Sequence, residues 1–578
     1  MSDLLNQASL VMVPSGYKED TVYSVVPSDG SGDLSFTRAS NGTRVNSAGL
    51  VEVTPWNLVQ NSEQYNAGTW LLAFLSISTN SAVAPNGTTT ADLLYPSSSE
   101  AYCYVSTTSF SVVGGQIYTQ SVYLKSSGFR WGIVDNMAGS PGAWFDLLNG
   151  VVGNVASGCT ASIESVGNGW YRCSVSSVAQ SSTNYADFRM SDANGGSAVT
   201  ANGTDGLLAW GFQLNIGATA KPYFPTTDRL NVPRLTYQNG GGGCPSLLLE
   251  KQSTNVLTYS EQINSTNYTL NNVTSSENSL TSPDGTINAD KIIENTSNSS
   301  HSVNRVVALG GTVDNSAYSV SVFAKAEGRS QVLFYDNNQN VGGITYFNLS
   351  TGVVTSGTGK IENFGNGWYR CTIFCLKDNS TSANLQLYLL DSAGNSTYTG
   401  NGTSGIGLWG YQLEASSYPT SYIPTTSASA TRVADGPVNL STTQTLTNFT
   451  LFYDGLIFQN GENMLFGSGN SAWYIDIDGS TGRVVLDLAS GRIYNAFSSL
   501  TSNQRFKLAV KRSAGVVDAF VNGTKLTPNT QVTDTTSLTL SSITWAFSST
   551  FYPKMKVNEI CAFQSALSDS DCQALTTI

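Results

Sequence analysis

The amino-acid sequence predicts an all-β protein built of tandem antiparallel β-sandwiches, and three observations carry that expectation. Charged residues are only 12% of the 578, while glycine alone occurs 55 times. Short runs rich in β-branched and aromatic residues stop repeatedly at Asn-Gly, Asp-Gly or Gly-Gly, pairs suited to tight turns. Between those stops apolar and polar residues alternate, the period of a strand with one buried face. The chain is also too long for one core, because a single hydrophobic core stops growing at roughly 250–300 residues.

The block GNGWYRC occurs twice, from Gly167 and from Gly365. It belongs to a series kept in order. PNGTTTAD from Pro85 answers PDGTINAD from Pro283, and QSVYLKSSG from Gln120 answers VSVFAKAEG from Val320. WFDLLNGVV from Trp144 answers YFNLSTGVV from Tyr346, LLAWGFQL from Leu207 answers IGLWGYQL from Ile406, and YFPTT from Tyr223 answers YIPTT from Tyr422. Trp170 and Trp368 are 198 positions apart, Lys125 and Lys325 200, and Trp210 and Trp409 199. Such a period is far too long for a solenoid and means a duplicated domain with small loop insertions. The expected organisation is an N-terminal region at 1–55, modules at 56–231 and 255–432, a linker at 232–254 and a further sandwich at 433–578.

Within the linker, Gly240 to Gly243 read as a flexible break, and the run Leu247 to Leu249 as a strap between the two copies. In the last part, AWYIDIDGSTGRVVLDL and FKLAVKRSAGVVDAFVNGTKL each hold two strands around a turn. Ser568, with Asp571 three residues on, reads as the N-cap of one short terminal helix.

A net charge of -12 without any basic run excludes a nucleic-acid partner, since such binders gather Lys and Arg to release counterions. The first twenty residues lack a signal-peptide pattern, and nowhere do 18 apolar residues run together. The expectation is a soluble protein without membrane insertion. Eight scattered cysteines with no CxxC imply neither zinc nor a dense disulfide framework.

Each GNGWYRC reads as a structural hairpin. Asn-Gly suits a primed turn, Cys173 and Cys371 fall on the apolar face, and Arg172 and Arg370 stand on the other face beside Trp170 and Trp368, where a guanidinium can cover an indole. The single histidine, His301, lies in a polar Asn/Ser stretch read as a loop, so no catalytic residue is assigned. A glycan site needs aromatic rings beside convergent polar groups. The candidates are Trp131, Asp135 and Asn136 in the first copy and Tyr335, Asp336 and Asn337 in the second, the two aspartates being 201 positions apart. Solvated strand-ending turns would give the same pattern. No cofactor is required. Asp476 and Asp478, ahead of Gly-Ser-Thr, are candidate calcium ligands, but the spacing lacks a full calcium-loop signature and an ordinary Asp-Gly hairpin is the better account.

The six duplicated blocks resemble the glycan-binding-type jelly-roll module of tailed-bacteriophage tail and head fibre proteins. LSFTRASNGTRVNSAGLVEV from Leu34 and PSLLLEKQSTN from Pro245 resemble segments that precede such modules in those virion proteins. The closing LAVKRSAGVVDAFVNGTKL and EICAFQSALSDSDCQAL resemble a laminin-G or concanavalin-like jelly roll. The resemblance implies a structural, non-enzymatic virion protein, assembled in the host bacterial cytoplasm and released by lysis, with residues 1–55 attaching it to other virion proteins. It also implies a homo-oligomer, commonly a trimer, that adheres to host surface polysaccharide. Two alternatives stay open at this point: an architectural connector or decoration protein without glycan binding, and a polysaccharide depolymerase.

Overall fold

The computed structural model describes residues 2–578 except 101, 113, 182, 310–314, 339–342, 378–379, 437, 458–461, 468–473, 479–482, 489–490, 496–503, 529–530, 532, 534 and 545–554. The chain is all-β and its sheets are antiparallel. It divides into two compact units: Pro55–Arg229, and Met1–Thr54 together with Leu230–Ile578.

Pro55–Arg229 is a sandwich of two six-stranded sheets. Alternate residues of both sheets point inward, among them Val122, Leu124, Val134, Cys173, Val175, Phe188 and Phe212. The second copy repeats this plan inside the other unit, with Val320, Val322, Phe334, Cys371, Ile373 and Leu387 in its core. Both copies keep a register shift at one place, between Ser121 and Tyr123 and between Ser321 and Phe323.

The third sandwich corrects two expectations. Residues 1–55 are not a separate region, and the linker run, expected to pack against a domain as a strap, is a strand of this last sandwich. Leu10–Met12 and Ser246–Leu249 both pair with Met555–Phe563, through Leu10 with Ala562 and Leu247 with Val557. Leu34–Ser35 pairs with Val438–Leu446. Leu10, Met12, Val22, Leu34, Phe36, Leu247 and Leu249 are buried in the same core as Leu451, Leu508 and Ile560. The cause is burial: each short apolar segment would leave its side chains in water alone, and covering one such side chain stabilises by about 1.5–3 kcal/mol. The added strands also pair edges that would otherwise be open.

Where these segments converge lies a buried ionic hub. Arg38 donates to Asp435 at 2.8 Å, Arg234 to Glu250 at 2.8 Å and to Asp435 at 2.5 Å, and Arg432 lies 3.5 Å from Glu250. All five side chains are at most 1% exposed. Arg38 belongs to the FTRAS segment, Glu250 to LLLE, and Arg432 and Asp435 follow the second module. The hub therefore ties four distant stretches of chain to one point, and the charges offset one another's desolvation only while all are present.

The first part of the glycine run, read as a flexible break, is a close backbone contact with Gly49, while Gly242 faces open space. A Cβ on Gly49 would sit 2.3 Å from the Gly240 carbonyl carbon, and one on Gly241 2.9 Å from Gly49 N. Glycine alone lets these two backbones approach.

Candidate functional site

In the second copy, strand Gln331–Asp336 lies between Ser382–Leu390 and Thr345–Asn348. Val332 and Phe334 enter the core, so Leu333 and Tyr335 take the outer face. On the neighbouring strand, Leu385, Leu387 and Leu389 enter the core and Gln386 and Tyr388 face outward beside them. The Tyr335 and Tyr388 rings are stacked, with centroids 6.0 Å apart and planes within 14°. Both hydroxyls donate to Gln386 Oε1, at 2.7 and 3.0 Å, which locks the pair. Burial, followed by the Tyr388 hydrogen bond, pushes the Tyr335 phenol up to about 12, so it stays neutral and able to donate. Tyr346 is also half-buried, on the adjoining strand opposite Leu333. Asn304 stands across from Gln386, and its Oδ1 has no partner among the described residues. The result is a ring platform bordered by amides, suited to the apolar face and hydroxyls of a sugar.

Of the predicted glycan residues, Tyr335 belongs to this face and Asp336 does not. Asp336 is 2% exposed and points into the core, accepting from the Tyr318 hydroxyl and from the backbone N–H of Asn338 and Asn384 at 2.9 and 2.7 Å. Asn337 is exposed at the strand end, its N–H donating to the Asn384 carbonyl. Tyr388, Gln386 and Asn304 were missed. The signal available for Gln386 and Tyr388 was the alternation in SANLQLYLL, where Leu positions interleave with Asn384, Gln386 and Tyr388.

The first copy differs at the same place. Val134 pairs with Phe188 as Phe334 pairs with Leu387. This register equates Asp135 with Tyr335, one place earlier than Asp336. The shared acidic pair is thus not equivalent, because a one-residue slip changes the face. Asp135 is fully buried and grips Arg189, whose Nε lies 2.8 Å away. Desolvation raises its pKa against the pull of Arg189. Asn136 closes the following loop by accepting from the Ala138 N–H at 2.8 Å. Trp131 is half-buried, with the Arg130 guanidinium 5.3 Å over its ring. The two polar groups read as part of a sugar site are here one half of a buried ion pair and a turn.

The GNGWYRC hairpins form as expected, with φ of 53° and 77° at Asn168 and Gly169 and of 51° and 80° at Asn366 and Gly367. Cys173 and Cys371 are core fillers whose thiols burial pushes up. The arginines do not cover the tryptophans. Arg172 lies over Tyr123 at 5.5 Å and Arg370 over Phe323 at 5.6 Å, their partners across the strand pair. Trp170 and Trp368 instead donate to the carbonyls of Val83 and Thr281.

His301 is not in a loop. It sits within strand Asn298–Ala308, fully buried, its ring 4.7 Å from that of Tyr398. Asp476 and Asp478 fall on strand Tyr474–Asp478, and their side chains and the following turn lie outside the described residues. No group of three or more His, Cys, Asp or Glu among the described residues is placed to hold a metal ion.

The chain matches no protein family in sequence, and no curated protein. Solved structures with similarity include a Ruminococcus gnavus sialidase CBM40, at 13% identity over 23% of this chain and 83% of that one, TM-score 0.19. The LG1-3 region of the laminin alpha2 chain matches at 10% identity over 80% and 96%, TM-score 0.18. Trypanosoma rangeli sialidase matches at 10% identity over 98% and 93%, TM-score 0.20.

Proposed function

We propose that this chain is a non-enzymatic adhesive protein of a bacteriophage virion, a fibre or spike whose second module holds host-surface polysaccharide on the Tyr335–Tyr388 face. The observation that supports the binding reading is the locked tyrosine pair on an outward sheet face, with Gln386 and Asn304 beside it. The virion reading rests on the resemblance of the duplicated blocks and of the FTRAS and LLLE segments. A homo-oligomer, such as a trimer, would turn a weak contact into avid attachment by displaying several copies.

The test is retention of the full chain on polysaccharide extracted from host surfaces, beside the Tyr335→Ala/Tyr388→Ala double variant. Retention that the double variant loses supports the reading. No retention on any host glycan favours the connector alternative, and new reducing ends released from host capsule would establish a depolymerase. Density for the chain in images of intact particles tests the virion assignment separately.

A further inference from the structure

On the opposite sheet of the second module, the hairpin formed by Gly42–Val45 and Val51–Thr54, the linker and strand Met555–Phe563 together roof the outer face and enclose a cavity of about 370 Å³. That volume falls within the range of small-molecule sites, about 300–1,000 Å³. Phe323, Phe364, Phe374 and Tyr418 supply ring surface, and Asn239, Ser417, Thr420 and Ser421 supply amide and hydroxyl groups. Four lining side chains are cationic, Arg44, Lys360, Arg370 and Lys556, against two carboxylates, Glu250 and Glu362. In a chain of net charge -12 this is a local reversal of sign.

The carboxylates are already engaged. Glu250 is held by Arg234 at 2.8 Å and Glu362 by Lys360 at 2.9 Å. Arg370 differs. It is 6% exposed, yet its guanidinium bonds only neutral oxygens: Ser321 Oγ from Nε and Nη2 at 3.1 and 2.9 Å, and the Thr420 carbonyl from Nη1 at 2.8 Å. It makes no ion pair among the described residues. A guanidinium carries five N–H groups in a planar fork that matches a carboxylate; Glu362 across the strand pair attracts Arg370 without pairing with it directly, so this buried guanidinium, with donors to spare beside a roomy cavity, is a ready anion site.

We infer that this cavity is a second binding site, taking a carboxylate-bearing sugar residue whose acid group pairs with Arg370 and whose ring lies against Phe364 and Tyr418. The Asn239 amide and the Ser417 hydroxyl line the same cavity and face the sugar hydroxyls, whereas the Thr420 and Ser421 hydroxyls are held by Glu414 and Glu250 and only shape the wall. The site lies on the other sheet from the tyrosine face, so either can fail without the other.

The experiment is calorimetric titration of the full chain with trigalacturonate and with its methyl ester, which keeps the rings and hydroxyls and caps each acid group as a neutral ester. Expected is binding of the acid at least about tenfold tighter than the ester, weakened by added salt as a charged contact should be. Arg370→Met should remove that preference. Lys360→Glu, at a half-exposed residue that leaves the fold intact, should weaken the acid several-fold, and Tyr335→Ala/Tyr388→Ala should leave it unchanged. Equal affinity for acid and ester, or acid binding unaltered in both Arg370→Met and Lys360→Glu, overturns the proposal. Displacement of trigalacturonate by inorganic phosphate at equal concentration overturns the sugar class, since the cavity would then hold any anion.

Discussion

In the first copy of the duplicated module Tyr123, Arg172 and Tyr223 stand half-buried on the outer face of a sheet. In the second copy Phe323, Arg370 and Tyr422 take the same places and are 0%, 6% and 4% exposed. The strands beneath them are alike; what differs is the roof. Val51 of the N-terminal hairpin packs with Phe323, Trp368, Trp409 and Tyr422, and the linker passes beside it. The opposite sheets differ in the reverse sense. The second copy presents Tyr335, Gln386 and Tyr388, whereas the first fills the matching positions with Asp135, Asp187 and Arg189 and buries both carboxylates. One scaffold thus carries two chemistries, because a sandwich core constrains only inward positions and leaves outward ones free to change.

The ionic hub serves only the second copy's unit, so breaking it is the sharpest test of the contrast. Asp435→Ala leaves Arg38 and Arg234 buried without their shared acceptor, a loss expected to destabilise by about 3–5 kcal/mol. Hydrogen exchange should report it as lost protection around 230–254 and 430–440, with the core strands of Pro55–Arg229 unchanged. Equal loss in both units would show that the copies are coupled more tightly than the hub alone predicts.

The next contrast is in pH response. Asp187 of the first copy is raised to about 7, chiefly by desolvation and also by Asp135, against the Ser106 hydrogen bond and Arg189. Below about pH 4 it is protonated in both folded and unfolded chains. Between about 4 and 7 the unfolded chain ionises while the folded one keeps its proton, so stability falls as pH rises and levels off above 7. The second copy has neutral Gln386 at this position. Asp187→Gln should therefore flatten the decline, an effect on the order of a few kcal/mol in denaturant unfolding followed across pH. An unchanged slope would mean that another group carries it.

Two smaller effects complete the comparison. Tyr388→Ala should weaken retention on host polysaccharide about tenfold, roughly 1.4 kcal/mol, while Trp131→Ala in the first copy changes it less than about twofold. The reverse result would move the site to the first copy. Cys173 and Cys371 are alike in burial and should be alike in chemistry. In the folded protein a maleimide should label exposed Cys244 and leave both unmodified.

The duplication, the sandwich class, the Asn-Gly hairpins and the Ser568 cap were legible because each depends on local chemistry. Ser568 Oγ does accept from the Asp571 N–H at 3.1 Å. His301 was misjudged because its neighbours are polar, although Tyr398, almost a hundred residues away, is what shelters it. The aspartate alignment failed for a related reason. Similar residues one step apart look equivalent in a string, and only the pairing of Val134 with Phe188 shows that they occupy opposite faces.

By itself the sequence determined the alternation of its strands, the places where they turn and the fact that one module was used twice, since period, turn propensity and repetition are properties of neighbouring residues. Tertiary structure alone decided that the segments from Leu10 to Phe36 and the linker run complete the last sandwich. It alone decided that Arg38, Arg234, Glu250, Arg432 and Asp435 meet, and that Arg370 ends in a cavity under a roof its twin Arg172 does not share. These outcomes depend on which distant segment covers which face, and burial, not local preference, makes that choice.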